Sequence, residues 1–281
     1  LVVLIGYAGQ ISVGSAAFYG IGAYAAAIVN THLSIGFLPA LGIGIVVAMI
    51  CAFIVGLPSL RLHGYYLTLT TLAFSELVYI LLREMKNLTG GTVGIYNISF
   101  PSIAGFIVDN PYVYFSLVWC ILIILTFFVF NLTHSRYGRA LLALNLDETM
   151  AMTIGINTYR YKVICFVFSG LCAGLGGGLY AFYIRFIQPE MAGVSLSVEF
   201  LIAVFLGGAI SIWGGVIGAT IMVLSSNFLA NLHNWNTVLY GVILVLLIMK
   251  FPYGIAGVLE IYLTPFIKKI WNILKLKKDV E

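Results

Sequence analysis

The sequence predicts an all-α integral membrane protein, a polytopic helical bundle of about eight to ten transmembrane segments, some of them broken or re-entrant. Of its 281 residues, 62% are hydrophobic and only 9% are charged, whereas an average soluble domain carries about 25% charged residues. The mean hydropathy is +1.08, and several uncharged runs approach the roughly 20 apolar residues that cross a bilayer as a helix. The chain therefore has too little polar surface to cover a soluble core.

Eight apolar runs are candidate spans. Two of them, 197–212 and 237–251, are short, and the stretch LGGAISIWGGVIGA at 206–219 fits broken or re-entrant helices as well as clean crossings. Leu1 lies inside an apolar run and is not a methionine, so we expect residues to be missing before it. No linker divides the chain, which predicts one transmembrane domain over 1–267 and a basic tail at 268–281. The candidate spans are 10–29, 36–57, 64–82, 112–132, 162–184, 197–212, 213–232 and 237–251.

Basic residues predict the orientation of the chain. The loop 133–161 carries Arg136, Arg139 and Arg160, and the tail 268–281 carries five lysines. Because cytoplasmic segments are enriched in Lys and Arg, we expect both segments on the cytoplasmic side. The net charge of +4 then concerns lipid headgroups and orientation, and it gives no reason to expect nucleic-acid binding.

The stretch GYAGQISVGSAAFYGIGAY at 6–24 holds five glycines, Gln10 and Ser12 within an uncharged apolar run. Glycines allow helices to approach closely or to unwind, and polar side chains in lipid would lack hydrogen-bond partners. Gln10 and Ser12 are therefore expected to face protein or a water-filled path. For each residue taken singly, plain helix packing is an equally good interpretation, whereas the block as a whole favours a bundle that forms a pathway.

Glu76 is the one carboxylate well inside the predicted span 64–82. A charged residue at the centre of a membrane helix costs about 2.5–3.5 kcal/mol, so Glu76 is expected to face the bundle and to have a partner. A proton relay or a substrate ligand are two functional interpretations. A structural ion pair or hydrogen bond near the outer end of the helix is the third.

Enzymatic signatures are missing from the sequence. It contains no Walker A motif and no Gly-Lys pair, so any ATP must be bound by another chain. The stretch GLCAGLGGGLY at 170–180 lies within an apolar run, which favours close helix packing over a dinucleotide-binding loop. The four cysteines have no metal-ligand spacing. We therefore expect no catalytic residues, no metal site and no cofactor bound by this chain.

The loop 133–161 also contains a predicted amphipathic helix at 145–155 of about two and a half turns. Asn145 is the predicted N-cap, Asp147 and Glu148 favour the positive end of the helix dipole, and Gly155 is placed to end the helix. The helix either lies on the lipid headgroups or docks into a partner's groove, and its acidic start and methionine-bearing face favour docking. Its apolar face consists of Leu146, Met150 and Ile154.

Taken together, six stretches resemble the permease subunits of ABC importers for branched-chain amino acids, specifically the LivM type. They follow the family's order over 6–258, which is nearly the whole chain. Departures are Ser15, where the family often has His, and the sequences GGAI at 207–210 and GG at 214–215, which put local helix geometry in doubt. The stretches are GYAGQISVGSAAFYGIGAY, LRLHGYYLTLTTLAFSEL, LTGGTVGI, SRYGRALLALNLDETMAMTIGINTYRYK, FLGGAISIWGGVIGA and FPYGIAGV.

The resemblance implies a bacterial-type cytoplasmic (inner) membrane protein with several partners. These are a second homologous permease, two cytoplasmic ABC ATPase subunits that carry ATP and Mg²⁺, and an extracytoplasmic substrate-binding protein. Residues 147–155, including Met150 and Ile154, would correspond to the helix that couples the ATPases to the permease. Gln10, Ser12, Gly90 and Gly91 would lie near the translocation path or its outer mouth.

The resemblance implies alternating access for Leu, Ile and Val, driven by ATP hydrolysis on the partner subunits. Two alternatives remain open at this point. A member of the same family could import urea or another small polar solute, since the helices show no dedicated pocket. An ion-coupled secondary transporter would instead work alone and use Glu76 as its coupling site. A membrane-embedded enzyme is a more distant third.

Overall fold

The computed structural model describes residues 1–229 except 34, 63, 104, 105, 108 and 109, together with residue 254. A π-helical segment at Val3–Tyr7 precedes the first α-helix, and 3₁₀ turns lie at Gly91–Val93 and Pro189–Ala192. The short strands are β1 (Ile95–Tyr96), β2 (Ser102–Ile103), β3 (Phe106–Ile107) and β4 (Phe186–Ile187). The helices are α1 (Ser15–Leu33), α2 (Phe37–Ser59), α3 (Tyr65–Glu84), α4 (Lys86–Thr89), α5 (Pro111–His134), α6 (Arg136–Leu146), α7 (Glu148–Thr153), α8 (Thr158–Ile184), α9 (Val194–Gly207) and α10 (Ile212–Leu229).

Four helices in the described part of the chain are long and apolar enough to cross a membrane, namely α2, α3, α5 and α8. They coincide with four predicted spans, and with almost no strand they confirm an all-α polytopic membrane protein. The apolar helices α9 and α10 are shorter. The predicted run 237–251, the end of the run 213–232 and the tail 268–281 lie outside the described residues.

Two predicted boundaries are wrong. The run 10–29 was expected to be helical from Gln10, but α1 begins at Ser15 because residues 8–14 are unwound. The bounds of the run 197–212 are also wrong, since its helix begins at Val194 and ends at Gly207, although a break within 206–219 is one of the two arrangements that the sequence allows. Gly208 then takes a φ of +107°, a conformation that L side chains rarely adopt, and α10 begins only at Ile212.

The chain packs as two compact units, residues 1 and 3–200, and residues 2 and 201–281. In the first unit α1 is the central helix and packs against α2 and α8 through small residues. A Cβ atom on Gly22 of α1 would overlap the backbone of Gly174 of α8. The glycines of GLCAGLGGGLY therefore lie in mid-helix at a close helix contact, as small residues do in membrane proteins.

A small β-structure closes one end of this first unit. β1 pairs antiparallel with β4, and the turn at the end of α1 is tied to it by Asn30. The Asn30 side chain donates to the Ile35 carbonyl at 2.8 Å and accepts from the Ser99 N–H at 3.0 Å. At this end α5 begins, with the Asn110 side chain accepting from the Tyr112 N–H at 3.0 Å. The helices α6 and α7 follow the other end of α5.

Candidate functional site

The unwound segment 8–14 is held by side chains of the neighbouring helix α3. The Thr71 hydroxyl accepts from the Val13 N–H at 3.1 Å, and the Thr68 hydroxyl donates to the Ile11 carbonyl at 3.1 Å. These bonds replace part of the helical ladder that the segment lacks. The role of Thr68 and Thr71 was missed from the sequence, although polar residues three apart in an apolar run are a signal that could have found them.

Gln10 and Ser12 lie in this segment with different surroundings. Ser12 is buried, and its hydroxyl accepts from the Gly14 N–H at 3.3 Å, which is a local turn interaction. Gln10 is only 4% exposed, and neither its amide nitrogen nor its amide oxygen has a hydrogen-bond partner among the described residues. An unsatisfied buried amide is costly, so a polar solute or water is the natural partner.

Gln10 lines a polar cavity of about 450 Å³ within the first unit. The cavity is bounded by the unwound segment, by the start of α3, by the end of α6 and by the start of α8. Its polar lining is supplied by Gln10, Thr68, Asn145, Glu148 and Lys162. The structure therefore brings together Gln10 and Glu148, two of the predicted site residues, in one polar space.

An ion pair closes one side of this cavity. Lys162 Nζ of α8 donates to Glu148 Oε2 of α7 at 2.6 Å, and the two side chains are 9% and 27% exposed. Charges this far out of water are stable only when they are paired. The pair fastens α7 to the first turns of α8, an arrangement that sequence spacing did not predict.

Asn145 holds the same region from the other side. It was predicted as the N-cap of the loop helix, and this is wrong, because Asn145 lies inside α6. Its Nδ2 donates to the Gly6 carbonyl at 3.0 Å. A Cβ atom on Gly9 would overlap Asn145 Oδ1. Gly9 also has a φ of +64°, so both the space and the backbone conformation require glycine at this position.

Asp147 is the N-cap of α7. It accepts hydrogen bonds from the Thr149 hydroxyl, from the Thr149 N–H at 2.8 Å and from the Met150 N–H at 3.1 Å. These bonds, first the one from the Thr149 side chain, hold the pKa of Asp147 below its usual value. Because the cap lies two residues later than predicted, α7 has six residues rather than two and a half turns.

The C-terminus of α7 is a Schellman turn. The Ile156 N–H donates to the Ala151 carbonyl at 3.1 Å, and the Gly155 N–H donates to the Met152 carbonyl at 3.0 Å. Gly155 takes a φ of +84°, which ends the helix. Ile154 is the last residue before this reversal.

The prediction that three apolar residues share one face of a single helix is wrong, because the chain is extended at Asp147, Leu146 ends α6 and Ile154 is the C-cap of α7. All three side chains are nevertheless exposed. Leu146, Met150 and Ile154 are 88%, 70% and 73% exposed, whereas Ala151 is buried and Glu148 is paired with Lys162. The loop helix is thus fastened on one side and presents uncovered apolar side chains on the other, which is the pattern of a surface that binds a partner.

Glu76 does not face the interior of this chain, contrary to the expectation. It is exposed on α3 and has no ion pair or hydrogen bond within the described residues. The neighbouring Ser75 is the buried residue, and its hydroxyl donates to the Ala192 carbonyl at 3.0 Å. Glu76 therefore lies apart from the cavity that contains Gln10.

Gly90 and Gly91 also lie apart from the cavity, in the turn that follows α4. Their φ values are +77° and +62°, and a Cβ on Gly90 would overlap the Gly94 carbonyl. The buried Thr89 hydroxyl donates to the Leu82 carbonyl at 2.6 Å and accepts from the Gly91 N–H at 3.3 Å. Turn geometry is sufficient to account for both glycines.

Comparison with known proteins connects this geometry to a family. Residues 1–249 match the family described as branched-chain amino acid transport system / permease component. The chain belongs to this family. It is 31% identical to the high-affinity branched-chain amino acid transport system permease protein LivM of Escherichia coli (strain K12), over 90% of this chain and 65% of that protein.

Two further relatives show how the similarity extends within the family. A probable branched-chain amino acid transport permease protein LivM of Methanocaldococcus jannaschii is 27% identical over 91% of this chain and 82% of its own length. The high-affinity branched-chain amino acid transport system permease protein LivH of Salmonella typhimurium is 31% identical over 50% of this chain and 47% of its own. No solved structure matches. The similarity over most of this chain is thus to the LivM type, and the matched region spans about two thirds of the length of the E. coli relative.

Proposed function

We propose that this chain is the permease subunit of an ATP-driven ABC importer and forms part of the membrane path for branched-chain amino acids. An extracytoplasmic binding protein would deliver Leu, Ile or Val, and a second homologous permease would complete the path. Two cytoplasmic ABC ATPases would bind and hydrolyse ATP with Mg²⁺, because this sequence has no Walker A motif. The membrane would be a bacterial-type cytoplasmic membrane, with loop 133–161 and the C-terminus in the cytoplasm.

The observation that carries the proposal is the structure of α7. The capped helix α7 presents Met150, and the residues that flank it, Leu146 at the end of α6 and Ile154 at the C-cap, are exposed as well. Apolar side chains at this spacing fit a hydrophobic groove of a partner protein. Residues 147–155 are therefore the segment that would dock on the ATPases.

The contacts on the other side of α7 would carry a displacement into the membrane. Lys162 joins α7 to α8, and Asn145 joins the end of α6 to the π-helical segment through Gly6. Both joints line the cavity that contains Gln10. A shift of α7 with the ATPases would therefore change the shape of this cavity, as alternating access requires.

The exposed Glu76 supports a path at the surface of this chain rather than through its middle. An unpaired carboxylate well inside a membrane helix would cost about 2.5–3.5 kcal/mol if it faced lipid. Its exposure on α3 is therefore best explained by a water-filled path or by a second permease beside it.

Import of urea or another small polar solute is a second candidate within the same family, since polar side chains such as Gln10 and Thr68 line the cavity. A secondary transporter that uses Glu76 is the other candidate. Such a protein would concentrate solute in proteoliposomes that contain only this chain. The importer proposed here would require the ATPases and ATP.

Co-purification tests the proposal. We expect the wild-type chain to bring down a second permease and two ATPases, and we expect Met150→Asp or Ile154→Asp to release the ATPases while the permease pair is retained. Leu142→Asp, at an exposed position of α6 in the same loop, is the matched control and should retain them. Full retention of the ATPases by both α7 variants would refute the docking role.

A further inference from the structure

An apolar groove runs between α5 and α8, and the proposed function does not use it. We call it the α5–α8 groove. It has a volume of about 470 Å³, and its walls include Val118, Leu122 and Leu125 of α5 and Leu175 and Gly176 of α8. Of the 24 residues of α5, only three are buried. The groove is therefore an apolar slot that the first unit leaves unfilled.

The two helices meet at both ends of the groove. At one end the Tyr114 hydroxyl donates to the Leu179 carbonyl at 2.6 Å. At the other end the rings of Phe128 and Phe168 lie 5.7 Å apart between centroids. Between these two contacts the facing side chains of both helices are apolar, which an extended hydrocarbon chain matches.

The side chain of Arg185 lies near the Tyr114 end of the groove. A second cavity of about 380 Å³ shares Pro111, Tyr114 and Tyr183 with the groove and is also lined by Arg185. Arg185 caps α8 with a φ of +61°, so its backbone position is set by the end of the membrane helix.

The surroundings of Arg185 orient its side chain, and among the residues that the structure describes none carries a charge that pairs with it. Its Nε donates to the Ile98 carbonyl at 2.8 Å, and its guanidinium lies over the Phe100 ring at 3.7 Å. Within the described residues, its terminal nitrogens have no hydrogen-bond acceptor and no carboxylate within ion-pair distance. A planar guanidinium held in this way matches a phosphate, which it can bind through two parallel hydrogen bonds.

We propose that the α5–α8 groove and Arg185 form a binding site for one phospholipid, with an acyl chain in the groove and the headgroup phosphate on Arg185. The groove follows α5 from Pro111 to Leu125, which is about 21 Å at 1.5 Å per residue. This length exceeds half of the roughly 30 Å hydrocarbon core, so a chain from one leaflet is covered along its length. The tyrosines at the junction of the two cavities lie where aromatic residues meet headgroups.

Lipid retention tests the proposal on the purified assembly that contains the full-length chain. After washing in detergent, dioleoyl-phosphatidylglycerol is titrated back and bound lipids are counted by native mass spectrometry. Arg185→Gln should weaken the tightest binding event about tenfold, the amount expected for one charge-assisted contact. Leu122→Trp should abolish this event by filling the groove. Two control variants should change the affinity less than about twofold. Arg83→Gln removes an exposed cation elsewhere, and Ile124→Trp enlarges an exposed residue on another face of α5.

A second groove-filling variant, Gly176→Leu, shows whether a loss of lipid in Leu122→Trp comes from misfolding. A side chain at Gly176 would meet the Tyr19 ring at an ordinary contact distance of 3.6 Å, so Gly176→Leu should enter the groove without disturbing the helices. Lipid retention at the wild-type level by both Leu122→Trp and Gly176→Leu would overturn the proposal. Displacement of the lipid by millimolar inorganic phosphate would also overturn it, as would photo-crosslinking from the groove to a partner protein instead of to lipid.

Discussion

Replacing Glu148 by glutamine removes the carboxylate that Lys162 Nζ contacts at 2.6 Å. The lysine side chain is 9% exposed, so its ammonium group cannot recover full hydration while α7 stays in place. A hydrogen bond to a charged group contributes about 1.5–3 kcal/mol. We therefore expect Glu148→Gln to weaken the attachment of α7 to α8 by about 2 kcal/mol.

The converse change should cost less. Lys162→Met keeps the volume of the side chain, and the Glu148 carboxylate that it leaves behind is 27% exposed and can turn toward water. We expect about 1 kcal/mol for this variant. This order of the two effects follows from the difference in burial and not from the charge of either residue.

Hydrogen exchange of the peptide 148–156 in the assembled transporter measures this attachment directly. Opening of α7 would expose amides such as that of Ile156, which donates to the Ala151 carbonyl. A loss of 2 kcal/mol corresponds to about 30-fold lower protection in Glu148→Gln, and 1 kcal/mol corresponds to about fivefold in Lys162→Met. Transport should fall in the same order while the ATPases remain bound.

The matched control is Glu84→Gln, which breaks an exposed ion pair with Arg83 at 3.7 Å and should change neither exchange nor transport. Unchanged protection of 148–156 in Glu148→Gln would refute the reasoning. A larger effect of Lys162→Met than of Glu148→Gln would refute it as well.

Three further predictions concern the cap, the unwound segment and the exposed acid. The folded pKa of Asp147 lies below its unfolded value. Its stabilisation of α7 is therefore fully present above the unfolded pKa and is lost as the pH falls through the folded pKa. Corrected exchange of 148–156 should rise only below about pH 4, and Asp147→Asn should make this rise smaller. Thr71→Val should destabilise the first unit by about 1–3 kcal/mol in thermal unfolding, because it leaves a buried backbone N–H unpaired. In a cysteine-free background, Glu76→Cys should react with a membrane-impermeant thiol reagent.

The controls for these predictions lie on the same helices or on comparable surfaces. Thr70→Val removes a hydroxyl that donates only to the Tyr66 carbonyl of its own helix, so it should have little effect on stability. Ile124→Cys, exposed on α5, should stay unlabelled if it faces lipid. Equal labelling at Glu76→Cys and Ile124→Cys would contradict a water-filled path at α3. A pH response in Asp147→Asn as large as that of the wild type would contradict the role assigned to the cap.

Local signals predicted the membrane helices well, because length and apolarity alone decide whether a segment can span a bilayer. Asn110 followed by Pro111 marks the start of α5, and Gly155 lies where its positive φ ends α7. The period of four predicted that Leu146, Met150 and Ile154 share a helix face, and all three are exposed, but the break at Asp147 leaves only Met150 within α7.

Tertiary structure decided which polar groups act together. Asn145 and Asp147 are both residue types that cap helices well. In the structure Asp147 is the N-cap of α7, whereas Asn145 Nδ2 donates to the Gly6 carbonyl, which is distant in the sequence. α1 begins at Ser15 and not at Gln10, because the hydroxyls of Thr68 and Thr71 form hydrogen bonds with the unwound backbone that precedes it. Spacing along one chain carries no information about such partners.

The sequence by itself therefore determined that this is a helical membrane protein of the LivM type with a short amphipathic helix in its most basic loop, because composition and helical period are local properties. Only the tertiary structure joined Glu148 to Lys162 and placed Glu76 on the outside of the unit. It also buried Gln10 in a cavity where no described residue bonds to its amide. Burial and pairing depend on which helices meet, and that depends on packing over the whole unit.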